Sequence, residues 1–237
     1  MTRRNIVFMP GLLCDASVFA HQTAALAAHA NVTVADFSRA TSIEEMARIA
    51  LSLFEGKVTL IGFSMGGRAA LAACRLAPER LDGLCLMDTS AGPAQADEMS
   101  KRMPNVALAH EKGMTALAAR WLPPMVHIDR ENDPVLIGPL TRMVERANPQ
   151  MHERQIRALV SRPDARPVLP TIPCPTLVMV GRQDRWSPLA QHEEMAAVIP
   201  GAQLAVIEDA GHFAVVERPL AVTNALLGWL GYPLLDA

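Results

Sequence analysis

Four cysteines in 237 residues, Cys14, Cys74, Cys85 and Cys174, lie far apart and form no Cys-x-x-Cys pair. That spacing argues against a zinc site or a dithiol redox motif. Cys74 and Cys85 are expected as small core residues and Cys14 as a thiol lining a pocket. No block of one charge sign occurs. The 22 basic and 24 acidic residues are interspersed and the formal net charge is −2, so neither a nucleic-acid nor a membrane partner is expected. No apolar run approaches a membrane span, and the one that follows the basic start Met1-Thr2-Arg3-Arg4-Asn5 stops at Pro10-Gly11, short of a secretion signal. Cytoplasmic residence is the expectation. His and Asp residues are not clustered as metal ligands would be, and no repeat or low-complexity tract is present.

What the chain does have is apolar content, 50% of all residues, enough for one sizeable core. Six β-rich runs, Ile6 to Met9, Val32 to Ala35, Val58 to Phe63, Leu84 to Met87, Thr176 to Val180 and Gln203 to Ile207, alternate with helical segments. This predicts an α/β fold with a mostly parallel sheet of about six strands covered on both faces. Ser42-Ile43-Glu44-Glu45 has capping-box spacing, Ser187-Pro188 is expected to open a helix, and Pro219 to begin the last one. The rhythm breaks between about 91 and 170, where Ala116–Leu122 and Gln155–Val160 read as helices. The expectation is one domain, 1–237, with a helical lid inserted there.

The most specific pattern is Ile61-Gly62-Phe63-Ser64-Met65-Gly66-Gly67 between the strand-like Lys57–Ile61 and the helix-forming Arg68–Cys74. Gly-x-Ser-x-Gly in that setting predicts a nucleophile elbow, a sharp turn whose flanking Gly62 and Gly66 leave room for the bend. A serine hydroxyl needs a base and a carboxylate to orient that base. Among seven histidines His212 stands out, because Asp209-Ala210-Gly211-His212-Phe213 follows the final strand at the sheet edge that carries Ser64. His21, His29, His110, His152 and His192 read as solvated or partly packed, and His127 as a lid residue within reach of the pocket. Asp184, after the fifth strand, is the preferred acid over Asp88 and Asp209. The oxyanion donors are expected to be the backbone N–H groups of Met65, at a helix start, and Leu12, on the turn shaped by Gly11. Trp121, Met125, Trp186 and Phe213 join Cys14 and His127 as candidate pocket residues.

With these blocks in hand, the chain resembles the α/β-hydrolase superfamily, in particular small bacterial hydrolases with a helical cap: carboxylesterases, enol-lactone hydrolases and pimeloyl-carrier-protein methyl esterases. The likeness rests on Pro10-Gly11-Leu12, Gly62 to Gly67, Cys174 to Asp184, and Gly211-His212 followed by Glu217-Arg218-Pro219. Three departures stand out. Pro10-Gly11 replaces the usual His-Gly, removing a side chain that braces the oxyanion turn. Only five residues precede Ile6, so the two N-terminal antiparallel strands are expected to be absent. Phe37-Ser38-Arg39-Ala40-Thr41 stands where a Gly-x-Gly-x-Ser loop is usual.

The resemblance and the residues together imply a cofactor-independent serine hydrolase of a small-molecule carboxylic ester, thioester or lactone, with no metal. Rival readings are perhydrolase or haloperoxidase chemistry, carbon–carbon bond hydrolysis on the same triad, or a receptor that retains the scaffold with little turnover. Nothing in the pattern specifies an oligomeric state.

Overall fold

Six parallel strands, β1 (Asn5–Met9), β2 (Asn31–Val34), β3 (Val58–Phe63), β4 (Leu81–Met87), β5 (Thr176–Gly181) and β6 (Gln203–Ile207), form one sheet in the order β2-β1-β3-β4-β5-β6. The computed structural model describes residues 3–236. Met1 and Thr2, at the start of the basic N-terminal stretch, and Ala237 lie outside the described residues. β1, β3 and β5 are almost wholly buried, while the edge strands β2 and β6 are partly exposed, as expected of a parallel sheet covered on both faces. β4 begins three residues earlier than its apolar run. There Thr59 donates to the Asp82 carboxylate at 2.6 Å, so a polar pair extends the ladder where hydrophobicity gives no signal.

Helices α1 (Ala20–Ala27), α2 (Ile43–Ser52) and α3 (Met65–Leu76) occupy the first crossovers, followed later by α7 (Leu189–Val198) and the C-terminal α8 (Ala214–Glu217) and α9 (Pro219–Leu230). α1 packs against α9, and α2 against α3. Ser42 caps α2 by accepting from the Glu45 N–H at 3.1 Å. The expected start of α7 is different. Pro188, not Ser187, is its cap residue, because the Ser187 N–H is turned toward the Asp184 carboxylate at 2.8 Å.

Between β4 and β5 lie α4 (Glu98–Trp121), α5 (Pro134–Glu145) and α6 (Pro149–Val160). The sequence pattern predicts two helical stretches here. Pro104 and Pro139 fall inside α4 and α5 and interrupt the pattern by which those helices would be recognised. α4 is broken at Gly113, whose φ of 81° lies outside the helical region, a conformation open to glycine at no steric cost. The break redirects the second half of α4 so that Trp121 is buried above the carboxyl edge of the sheet. Strand order reverses between β1 and β3, and the crevice outside their carboxyl ends is where such sheets bind ligands.

Candidate active site

β3 is a fully buried run, Val58 to Phe63, and α3 starts one residue after Ser64, so the chain must reverse within a single residue. Ser64 takes the strain, at φ 53° and ψ −113°, at a cost of about 1–3 kcal/mol. The turn is possible only without side chains beside it. A Cβ on Gly66 would collide with the Met9 carbonyl, and one on Gly62 would stand 2.6 Å from Gly66 O. The elbow is held from behind by the Ser64 N–H donating to Met87 O at 2.9 Å and by the Thr89 hydroxyl donating to Ser64 O at 2.7 Å.

The loops after β5 and β6 bring Asp184 and His212 to the same edge. The Ser64 hydroxyl lies 2.9 Å from His212 Nε2, and His212 Nδ1 lies 2.8 Å from Asp184 Oδ2. Asp184 Oδ1 accepts the N–H groups of Trp186 and Ser187 at 2.7 and 2.8 Å. Burial opposes ionisation of Asp184, yet the His212 contact and these two amides outweigh it and hold the carboxyl below its ordinary range. An ionised Asp184 accepts the Nδ1 proton, which leaves Nε2 as the acceptor for the serine hydroxyl.

The two rejected acids have other partners. Asp88 is buried, accepts the Gly181 N–H at 2.8 Å, and has its pKa raised well above the ordinary value by burial and by the neighbouring Asp184 charge. Asp209 pairs outward with Arg130 and Arg218.

Leu12 and Met65 both line the cleft, and their N–H groups have no acceptor among the described residues. Gly11 lies against Phe63, where a Cβ would stand 3.1 Å from the ring and 3.3 Å from Ser64 Cβ. The brace missing from Pro10-Gly11 comes from the inserted helices. Gln155 on α6 is buried, accepts the Leu13 N–H at 2.9 Å through Oε1, and donates to Phe37 O at 3.4 Å through Nε2. One side chain thus ties the oxyanion turn to the loop that departs from the family pattern. Nothing in the sequence marks Gln155, because its partners are backbone atoms 118 and 142 residues away.

His212 is further fixed by rings and by a buried carboxylate. Phe63 lies 5.5 Å from the imidazole and 5.4 Å from Phe213, and Trp121 meets Phe213 edge-on at 6.2 Å. Glu217, whose side chain is fully buried, accepts the Gly211 N–H at 2.8 Å and the His127 N–H at 2.9 Å, and pairs with Arg130 at 3.0 Å.

Cys14, Trp121, Met125, Trp186 and Phe213 all line the cleft, a narrow space of about 40 Å³. His127 does not. Its backbone is pressed against Gly211, and its ring faces Asp129 and Asp209 instead. Cys14 separates the cleft from a second cavity of about 360 Å³ under α5 and α6, and burial raises its pKa, so it lines the wall as a neutral thiol.

Two histidines that read as solvated or partly packed are buried. His192 Nε2 accepts the Thr89 N–H at 3.0 Å, which places it one hydrogen bond behind the elbow. Burial pushes its pKa down to about 4, and does the same to His152 on α6. Among the described residues no three His, Cys, Asp or Glu side chains converge as a metal site, and no helix is long and apolar enough to cross a membrane.

The chain is 28% identical over 174 residues to 3-oxoadipate enol-lactonase 2 of Acinetobacter baylyi, a match covering 72% of this chain and 62% of that protein. Among solved structures, a thermophilic esterase from Thermogutta terrifontis superposes with a TM-score of 0.87 at 30% identity, covering 97% of this chain and 90% of the other. The enol-lactonase from Burkholderia xenovorans superposes with a TM-score of 0.86 at 27% identity, covering 98% and 92%. These three proteins carry lactonase or esterase names, and this chain spans 62% of the length of the first of them. Residues 6–226 match the model of the alpha/beta hydrolase family, and the chain belongs to that family.

Proposed function

We propose that this chain is a cofactor-independent serine hydrolase that cleaves a carboxylic ester or a lactone through a covalent acyl-enzyme. The observation that carries the reading is the hydrogen-bonded line from Ser64 Oγ through His212 to Asp184 Oδ2, with steps of 2.9 and 2.8 Å, beside two amide N–H groups with no acceptor among the described residues. The esterase and enol-lactonase names of similar proteins point to the same class of bond.

In this reading Ser64 Oγ attacks the substrate carbonyl while His212 Nε2 takes its proton. Asp184 keeps the imidazole in the tautomer that accepts and stabilises the imidazolium once formed. The tetrahedral oxyanion sits between the Leu12 and Met65 N–H groups, at the positive end of α3. His212 then returns the proton to the leaving oxygen, and a water deprotonated by His212 releases the acid. Replacing Ser64 with alanine tests this. Hydrolysis of p-nitrophenyl esters should disappear while circular dichroism and thermal unfolding stay near wild type, and hydrolysis at the wild-type rate by purified Ser64→Ala would refute the assignment.

A further inference from the structure

The narrow cleft at Ser64 is lined by two arginines, Arg68 and Arg102, and by no carboxylate among the described residues. Arg68 lies four residues along α3 from Ser64 and so on the same face of the chain. It donates to Gly92 O at 2.9 Å and to the Ser90 hydroxyl, both neutral acceptors. Among the described residues no ion pair is made by Arg68. Arg102 pairs with Glu98 at 2.7 Å, but both Glu98 oxygens are also engaged by Arg162 at 2.8 Å. Gly92 O is shared as well, accepting from Arg162 at 3.3 Å. Three guanidinium groups are therefore gathered around a single carboxylate.

Such an arrangement is costly for the empty protein. Burial and the nearby charges of Arg162 and Arg102 pull the Arg68 pKa down to about 9, which still leaves it protonated at neutral pH. A bond to a carbonyl and a hydroxyl needs no charge at that position, whereas an arriving anion does. The cleft also continues, past Arg68, Arg102 and Trp186, into a cavity of about 520 Å³ that leaves room for a charged substituent. That outer cavity carries Glu194 and Arg166 too, and Arg166 is held by Asp164. Trp186 closes its wall with its ring 5.7 Å from the Arg102 guanidinium.

We infer that the substrate is an anionic ester or lactone, whose carboxylate is held by Arg68 and Arg102 while its carbonyl meets Ser64. The inference rests on the serine-hydrolase reading for the identity of the scissile bond, though not for the existence of the anion site.

Two pairs of esters test it and locate the charge. 4-Nitrophenyl hydrogen glutarate is compared with 4-nitrophenyl valerate for a carboxylate on the acyl side. 4-Butyryloxybenzoate is compared with its methyl ester for a carboxylate on the alcohol side. At least one charged ester should exceed its neutral twin about tenfold or more in kcat/KM, mainly through KM. That ratio should fall toward one in Arg68→Met and, if that variant folds poorly, in Arg102→Met. Calorimetric titration of glutarate into Ser64→Ala and into Ser64→Ala/Arg68→Met supplies an arm without turnover, with binding expected only in the first. Preference for neither charged ester together with no glutarate binding would overturn the anion site, as would a charged-ester preference that survives in both arginine variants. Hydrolysis of the neutral esters by Ser64→Ala would instead overturn the serine reading and leave the titration to judge the site.

Discussion

Protonating His192 should cost this protein stability, and the amount follows from the geometry. The ring is fully buried, its Nε2 accepts the Thr89 N–H at 3.0 Å, and its Nδ1 faces Pro188 O at 3.2 Å. Both positions are therefore filled by the neutral tautomer, and a second proton has to displace Thr89. With a pKa of about 4 in the fold against 6.5 when exposed, the native state binds fewer protons than the unfolded chain between those values. Stability then rises with pH across that window, is complete above about 6.5, and is lost as pH falls toward 4. The gap is worth about 3 kcal/mol in full, with a slope approaching 1.4 kcal/mol per pH unit. His192→Gln keeps an acceptor for Thr89 and removes the titration. Urea unfolding of wild type and variant at intervals from pH 4.5 to 7.5 isolates the effect as a difference between two curves, in which the contribution of the carboxylates and of His152 cancels. The variant should show a shallower acid limb, by up to about 3 kcal/mol over the full range. Parallel curves would refute the reasoning.

Other perturbations probe the elbow and its supports. Asp184→Asn should leave the fold intact and lower kcat by about 10⁴, because the amide can present a donor to Nδ1 and favour the wrong tautomer. A pH-rate profile with wild-type height would contradict this. Gln155→Leu strands the buried Leu13 N–H, at about 1–3 kcal/mol of stability, and loosens the turn that carries the Leu12 donor. Its kcat should drop by about 10–100-fold with KM less changed, as partial loss of one oxyanion contact implies, and unaltered kcat would remove Gln155 from the site. Gly66→Ala places a methyl group into the Met9 carbonyl. Soluble, fully active Gly66→Ala in an expression trial would show that the elbow tolerates what the backbone geometry forbids.

The amino-acid order determined by itself those features that depend on neighbours along the chain. Six apolar runs spaced by helical segments specify the parallel sheet, and Gly-x-Ser-x-Gly between a strand and a helix specifies the turn at Ser64, since both are consequences of local periodicity and backbone sterics. Asp184 and His212 were legible too, because each follows a strand directly and a parallel sheet brings all its carboxyl ends to one edge. What only the tertiary structure decided is everything that depends on contacts between distant segments. Gln155 braces the turn at Leu13 from 142 residues away, His192 supports Thr89 from 103 residues away, and Glu217 ties the His212 loop to the His127 backbone 90 residues away. The same holds for charge. Arg68 reads along the chain as an ordinary helix residue, and its lack of a carboxylate partner among the described residues emerges only when α4, which bears both Glu98 and Arg102, and the segment after α6, which brings Arg162 to the same Glu98, fold over α3. His127 shows the reverse, a residue close to the pocket in sequence logic whose ring is turned away because its backbone is packed against Gly211. Periodicity encodes which face of an element is buried, whereas the partners on that face are set by long-range packing that no local pattern records.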